Sequence, residues 1–281
     1  MQLDQLKFRC RLCPHECNLA KGEIGKCLLR KGSDVLPYSE CETFDISTIA
    51  IEPIEKKPLL YFKTGSKTLS LGSYGCSLSC NFCQNWKVSQ RKPDKIKRLS
   101  SLDIINLAKE KKLKIVCFTY NEPTLFYPQI INLSRELNNE SIDIVIKTNA
   151  YLNNYYWGHV CKNVNAMNID FKGSECRHID SLGIKEGTYN VIIENIETAI
   201  NSDSHVEISI PVYEDFSKDD INPLKNILSS YVDKNIPLHL LRVFPVYKLE
   251  GRPTEKDKLE RVREELLKFS NKIHIHNIYG K

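Results

Sequence analysis

Thr68-Leu69-Ser70-Leu71-Gly72-Ser73-Tyr74-Gly75-Cys76-Ser77-Leu78-Ser79-Cys80-Asn81-Phe82-Cys83 joins an alternating apolar run to three closely spaced thiols. The run 68–72 reads as a strand, and the thiols follow it at once in a glycine-flanked loop with the spacing Cys-x3-Cys-x2-Cys. A structural zinc site takes four protein ligands, so three leave it one short. An iron–sulfur cube with three thiolates keeps one iron open to an outside ligand. Three inert, buried thiols are the alternative, since free cysteine is among the most buried residue types. Crowding them into a single loop argues against it.

Outward from this strand the pattern repeats. Apolar, β-rich runs at 68–72, 115–120, 142–146, 164–171, 205–212 and 238–244 alternate with helical patterns near 102–111, 125–138, 153–161, 191–201, 219–233 and 256–269. Ser100 with Asp103, and Thr254 with Asp257, read as capping boxes. A last extended run at 273–279 closes the pattern. Six strand–helix units in series imply a parallel sheet with right-handed crossovers. The expected fold is α/β, a partial (βα)6 TIM-like barrel over 67–281 with a Cys-rich N-terminal extension over 1–66. Doubly wound packing is the alternative. The stretch 35–63, broken by Pro37, Pro53 and Pro58, reads as the connection between the two.

Composition narrows the function classes. A net charge of +5 on 281 residues gives no global reason to expect nucleic acid or a membrane surface. The N-terminal residues carry no signal-peptide core, and no run is long enough to span a bilayer, which points to the cytoplasm. In that reducing compartment eleven cysteines serve metal or catalysis better than disulfides. Four of them, Cys10, Cys13, Cys17 and Cys27, form a second group, with Gly22 and Gly25 permitting tight turns before the last. An auxiliary iron–sulfur cluster and a four-thiolate zinc site both fit; the single Cys-x2-Cys knuckle favours the cluster. His15 reads as exposed rather than ligating, and Cys41 is open to either assignment.

Parallel barrels place their chemistry on loops at the C-terminal ends of the strands. The polar clusters follow the strands as that rule requires: the three cysteines, then Asn121-Glu122-Pro123-Thr124, Lys147-Thr148-Asn149, Asp170-Phe171-Lys172-Gly173 and Pro245-Val246-Tyr247-Lys248.

Cys-x3-Cys-x2-Cys resembles the signature of the radical S-adenosylmethionine (radical SAM) enzymes, in which the open iron is chelated by the methionyl part of SAM. That resemblance implies a 4Fe-4S cluster on Cys76, Cys80 and Cys83, with SAM as the second cofactor. Glu122 suits the SAM ammonium through a charge-assisted contact, with Asn121 and Pro123 aiming the backbone. Asp170 and Lys172 suit the ribose hydroxyls and the carboxylate, and Phe82 suits the adenine. Thr148 and Asn149 stand on the same cofactor-binding rim. Trp86 is as suited to the core as to the site. More narrowly, Lys56-Lys57-Pro58-Leu59, Cys83-Gln84-Asn85-Trp86, Tyr120-Asn121-Glu122-Pro123-Thr124 and Ile169-Asp170-Phe171-Lys172-Gly173 resemble the AmmeMemoRadiSam group, related to the pyruvate formate-lyase activating enzymes. The opening Cys-x2-Cys-Pro-His-x-Cys looks like that group too. Three departures stand out. No further cysteine pair follows before Lys281, Val246-Tyr247 replaces a histidine after the sixth-strand proline, and Lys147 stands where activases carry an aspartate.

The activity so implied is reductive cleavage of SAM and abstraction of a hydrogen atom, an oxidoreductase chemistry. The expected substrate is a protein or peptide, as for glycyl-radical activases, and the reductant a flavodoxin- or ferredoxin-like protein. Rearrangement or modification of a small molecule is the competing enzymatic reading, and a non-catalytic zinc or iron–sulfur module the competing class. Lys87, Arg91, Lys92, Lys95, Lys97 and Arg98 read as a solvated basic loop that could also dock an acidic partner. His274 and His276 share a strand face without a visible third ligand and read as ordinary strand histidines.

Overall fold

The computed structural model describes residues 7–32 and 43–278. Cys41 lies outside them. Seven parallel strands lie side by side in sequence order: β2 (Lys67–Gly72), β3 (Ile115–Phe118), β4 (Asp143–Thr148), β5 (Ala166–Asp170), β6 (His205–Val212), β7 (Leu238–Arg242) and β8 (Ile273–His276). An eighth, β1 (Thr48–Pro53), pairs antiparallel with β2. Among the described residues β1 and β8 do not pair, so the barrel stays open, as a partial one should.

Each strand run expected from periodicity is present, and so are the six long helices between them. The helix Tyr127–Asn139 shows why: Ile130, Leu133, Ser134 and Leu137 recur at helical spacing and are buried against the sheet. Ser100 caps the helix Ser101–Glu110, accepting from the Asp103 N–H at 3.1 Å while Asp103 accepts from the Ser100 N–H at 2.8 Å. The second cap differs from the reading. The hydroxyl of Thr254 donates to the carbonyl of Val212 at 2.7 Å, tying β6 to the segment after β7, and the helix Lys256–Leu266 starts without a side-chain cap. A short helix, Glu175–Asp180, and a two-stranded ribbon, Thr43–Ile46 with Lys97–Ser100, have no counterpart in the periodicity. The sheet also begins N-terminal to residue 67, because β1 lies in the stretch read as connection.

Alternation along the strands creates two cores. One face of the sheet packs under the helices. On the other, Ile115, Cys117, Val145 and Ala166 enclose Ile54 and Leu59 from the link between β1 and β2. That link closes the floor of the barrel. Asn168 donates to the carbonyl of Pro58 at 2.8 Å, and Glu207 accepts the N–H groups of Leu60 and Tyr61, which fixes the plug.

The N-terminal segment forms a small hairpin, Phe8–Arg9 against Asn18–Leu19, with Cys10, Cys13 and Cys17 around its tip. It is docked on the barrel rim: the N–H of Asn153 donates to the carbonyl of Leu12 at 3.0 Å, and the ring of His15 donates to the carbonyl of Ser77 at 2.7 Å. His15 is therefore half-buried rather than exposed. No helix among the described residues is long and apolar enough to cross a membrane.

Candidate active site

The C-terminal ends of β2 to β8 surround a cavity of about 540 Å³ whose wall includes Cys76, Cys80, Cys83, Glu122, Asp170 and Lys172. The loop carrying the thiols is fixed from three sides. Asn121, after β3, donates to the carbonyls of Tyr74 and Gly75, both at 3.1 Å, and accepts from the N–H of Ser73 at 3.0 Å. Its amide is fully engaged with backbone, so it positions the loop. Asn149, after β4, donates to Ser77 Oγ at 3.2 Å and reaches Cys76 Sγ at 3.6 Å. Gly75 has a φ of +79°, and a Cβ there would collide with the carbonyl oxygen of Cys27. Only glycine lets the two cysteine-bearing segments meet so closely.

The sulfurs receive further donors. The N–H of Leu78 lies 3.4 Å from Cys76 Sγ, and Ser89 Oγ lies 3.0 Å from Cys83 Sγ. Burial pushes the Cys80 thiol up to about 12 against the pull of Lys172, and it pushes Cys76 well up, with Glu122 adding to the effect. Cys76 and Cys80 so placed are neutral by themselves. An electropositive occupant converts them to thiolates, as a metal centre does when a thiol coordinates it. Among the described residues no three of His, Cys, Asp or Glu are gathered tightly enough to hold a metal ion. A four-iron cube distributes its thiolates over separate irons.

Glu122 is buried and accepts four hydrogen bonds: from the Thr124 N–H at 3.1 Å, the Thr124 hydroxyl at 2.7 Å, the Thr148 hydroxyl at 2.7 Å and the Asn149 N–H at 2.8 Å. Burial raises its pKa, and the four donors oppose that shift. A carboxylate so prepared in a cavity wall suits an ammonium group. Thr148 and Asn149 thus act on Glu122 and on the loop, which a reading of the rim as a row of direct contacts missed.

Asp170 holds two cations. Lys147 Nζ lies 2.6 Å from Oδ1 and Lys172 Nζ lies 3.0 Å from Oδ2. Burial alone would raise the carboxyl, but the two lysines outweigh it and hold Asp170 at about 2. Burial would lower Lys172, yet Asp170 and the Cys80 sulfur keep it raised. Lys147 falls below its ordinary value because burial exceeds the attraction of Asp170. Phe82 lines the cavity and meets Tyr213 edge-on at 4.9 Å. Trp86 lies outside the core, stacked on the exposed Tyr247 at 5.2 Å, with Lys87 and Arg91 against its ring. The cavity also takes in Glu52, Lys57, Tyr120, Arg242 and His276, which the strand-end rule did not select. Tyr120 OH donates to Glu52 at 2.6 Å, and Lys57 forms an ion pair with the same carboxylate. The sequence signals for this cluster were Lys56-Lys57-Pro58 and Tyr120 in the resemblance, and His276 on its strand face.

The four N-terminal thiols surround a second, very small cavity with His15, Leu19, Gly25 and Arg30. Burial pushes Cys13 up to about 12 and raises Cys27.

Comparison with known proteins agrees with this architecture. The uncharacterized protein MJ0808 of Methanocaldococcus jannaschii is 31% identical over 289 aligned residues, covering 99% of this chain and 84% of that one. Two solved structures share the fold at low identity. QueE from Escherichia coli superposes with a TM-score of 0.52 at 15% identity, over 82% of this chain and 92% of its own. SuiB of Streptococcus suis, bound to S-adenosylmethionine or to its precursor peptide SuiA, gives TM-scores of 0.54 and 0.56 at 16% and 15% identity. Those matches cover 73% and 75% of this chain and 49% and 48% of SuiB. The model of the radical SAM superfamily matches residues 71–227, more than half of the sequence. With that match, the chain belongs to the radical SAM superfamily, enzymes that work with a 4Fe-4S cluster and S-adenosylmethionine.

Proposed function

We propose that Cys76, Cys80 and Cys83 hold the cluster, that Glu122 receives the SAM ammonium, and that the enzyme takes a hydrogen atom from a protein or peptide in the manner of the AmmeMemoRadiSam group and the glycyl-radical activases. One observation carries the site: three thiols on one loop and a buried carboxylate with four donors face the same cavity. When bound, the cluster supplies the electron that cleaves SAM into a hydrogen-abstracting species. The chain's own residues do the rest. Asn121 and Asn149 hold the cysteine loop, and the Leu78, Ser89 and Asn149 donors reduce the negative charge on the sulfurs. Lys172, paired to Asp170, presents a cation toward the SAM carboxylate, and Asp170 has oxygen lone pairs left for the ribose. Phe82 offers an apolar face to the adenine. The plug closes the far end against water.

A macromolecular substrate is supported by the position of the site on the open rim, beside the Trp86–Tyr247 stack with Lys87, Arg91 and Lys248. The peptide complex of SuiB is a precedent within the fold. The reaction needs an electron donor, and the basic residues from Lys87 to Arg98 suit an acidic flavodoxin- or ferredoxin-like protein. The charged wall formed by Glu52, Lys57 and Arg242 favours a second reading, a small polar substrate. At the N-terminus, Cys10, Cys13, Cys17 and Cys27 are proposed to hold an auxiliary iron–sulfur cluster.

Anaerobic reconstitution with iron and sulfide, then SAM and dithionite, tests the site. Brown protein that releases 5′-deoxyadenosine is expected, and Cys80→Ala should release none. Retained cleavage in that variant would overturn the assignment. Mass spectrometry of cellular proteins from a strain lacking the enzyme separates a protein target from a small molecule.

A further inference from the structure

Three strands on the far side of the barrel carry a buried chain of acid–base groups that the site above does not use. Glu207 on β6 is completely buried. Besides the two N–H groups of the plug, it accepts from the ring nitrogens of His205 at 2.9 Å and His239 at 2.6 Å. His239 on β7, also completely buried, turns its Nδ1 to Nε2 of His276 at 2.9 Å. The parallel register sets Leu241 beside His276, so that His239, two residues earlier on β7, reaches the same ring from below. His276, on β8, lines the cavity together with Arg242.

Hydrogen-bond logic fixes the protons. Burial would raise Glu207, but the two rings and two N–H groups outweigh it and hold it at about 2, so it is an acceptor at neutral pH. The Nε2 of His239 that faces it must carry hydrogen. In neutral imidazole the other nitrogen is then an acceptor, so His276 Nε2 carries hydrogen as well. His276 Nδ1 is left with a free lone pair. This is the tautomer-setting arrangement of a carboxylate–histidine pair extended by one ring.

We propose that His276 is the proton acceptor of the cavity, wired through His239 to Glu207. This rests on the reading of the cavity as the substrate site. In the step, the O–H or N–H bond on the carbon that has lost its hydrogen atom breaks. Its electron pair stays on that oxygen or nitrogen, and the proton joins the lone pair of His276 Nδ1. No oxidant or reductant is needed beyond the one that removed the hydrogen atom. His276 starts neutral: burial, His239, His274 and Lys147 press its protonation down to about 4, and Glu207 opposes them. The charge it then gains faces the Glu207 carboxylate through one ring. A role confined to holding the plug would explain the Leu60 and Tyr61 contacts but not the two rings in series.

Nitrogen-15 NMR of the seven histidines in the full chain tests the wiring. His276 is expected as the Nε2–H tautomer with Nδ1 unprotonated. Each Glu207 oxygen accepts one ring and one backbone N–H, so Glu207→Gln sets its NH2 beside either His239 or His205; on the His239 side the tautomers should flip in series, leaving His276 with hydrogen on Nδ1. His239→Phe should break the link, so that adding Glu207→Gln no longer moves the His276 signals. If Glu207→Gln fails to fold, carbethoxylation of the wild type by diethyl pyrocarbonate serves instead, and peptide masses should show His276 modified at neutral pH. A wild-type Nδ1–H tautomer or an unmodified His276 would each overturn the proposal. None of these readouts uses SAM cleavage, so a failed relay leaves the Cys80→Ala test independent, and the reverse holds too.

Discussion

Lys147 Nζ lies 2.6 Å from Asp170 Oδ1, on the opposite side of the carboxylate from Lys172. Two strands therefore share one buried anion, and Lys147, the departure from the activase pattern, is half of that arrangement. Lys147→Met should cost roughly 1.5–3 kcal/mol, the range for a hydrogen bond to a charged group. The pH dependence carries a sign. Asp170 is depressed from 3.8 to about 2, so its stabilisation is fully present above pH 3.8 and is lost as pH falls through about 2. Lys147→Met brings the folded value back toward 3.8, which should narrow that acid window. Urea unfolding across the acid range measures both effects, and an unchanged profile would show that Lys172 alone holds the carboxylate.

Glu122 behaves in the opposite sense. Its pKa is raised by burial, so without a cationic neighbour it keeps its proton to higher pH than an exposed glutamate. An ammonium ligand needs the ionised form. SAM affinity should therefore weaken as pH falls through the raised value, and equilibrium dialysis over that range measures it. Glu122→Gln loses a charge-assisted contact of about 1.5–3 kcal/mol and should weaken SAM about 10- to 100-fold.

Asn149 Nδ2 is the side-chain amide that reaches Cys76 Sγ, at 3.6 Å. A donor to a ligating sulfur stabilises the more reduced cluster. Asn149→Ala removes about 1 kcal/mol of that stabilisation, or roughly 40 mV for one electron, toward more negative potential. Potentiometric titration followed by electron paramagnetic resonance gives the shift, and a more positive value would contradict it.

Gly75→Ala sets a side chain against the Cys27 carbonyl at a left-handed φ of +79°. The backbone penalty alone is about 1–2 kcal/mol, and the collision adds to it. Thermal unfolding should show the loss, and iron per chain after reconstitution should fall. Normal iron content with a lowered melting point would mean that the docking matters for stability alone.

The architecture was legible because each β–α unit carries its own period. Ile144 and Ile146 alternate, and Ile130, Leu133 and Leu137 follow 3.6 residues per turn. Elements outside that repeat were less so. Thr48–Pro53 lies among extended pieces read as a connection, and it joins the sheet by pairing antiparallel with β2. Thr254 has the residues of a cap, but its hydroxyl is drawn to a carbonyl 42 positions away. At the site, the strand-end rule found Cys76, Glu122 and Asp170. It did not show that Asn121 and Asn149 serve the cysteine loop, because side chain-to-backbone contacts leave no periodic trace. Glu207 and His239 escaped because each reads as one polar residue in an apolar strand, and only parallel register brings them together.

The plug of Ile54 and Leu59 fills the barrel at the ends of the strands opposite the cysteine loop. With that end filled, the polar wall that includes Cys76, Glu122 and Asp170 is turned toward the strand-end rim, and exchange of bound molecules is biased to that side.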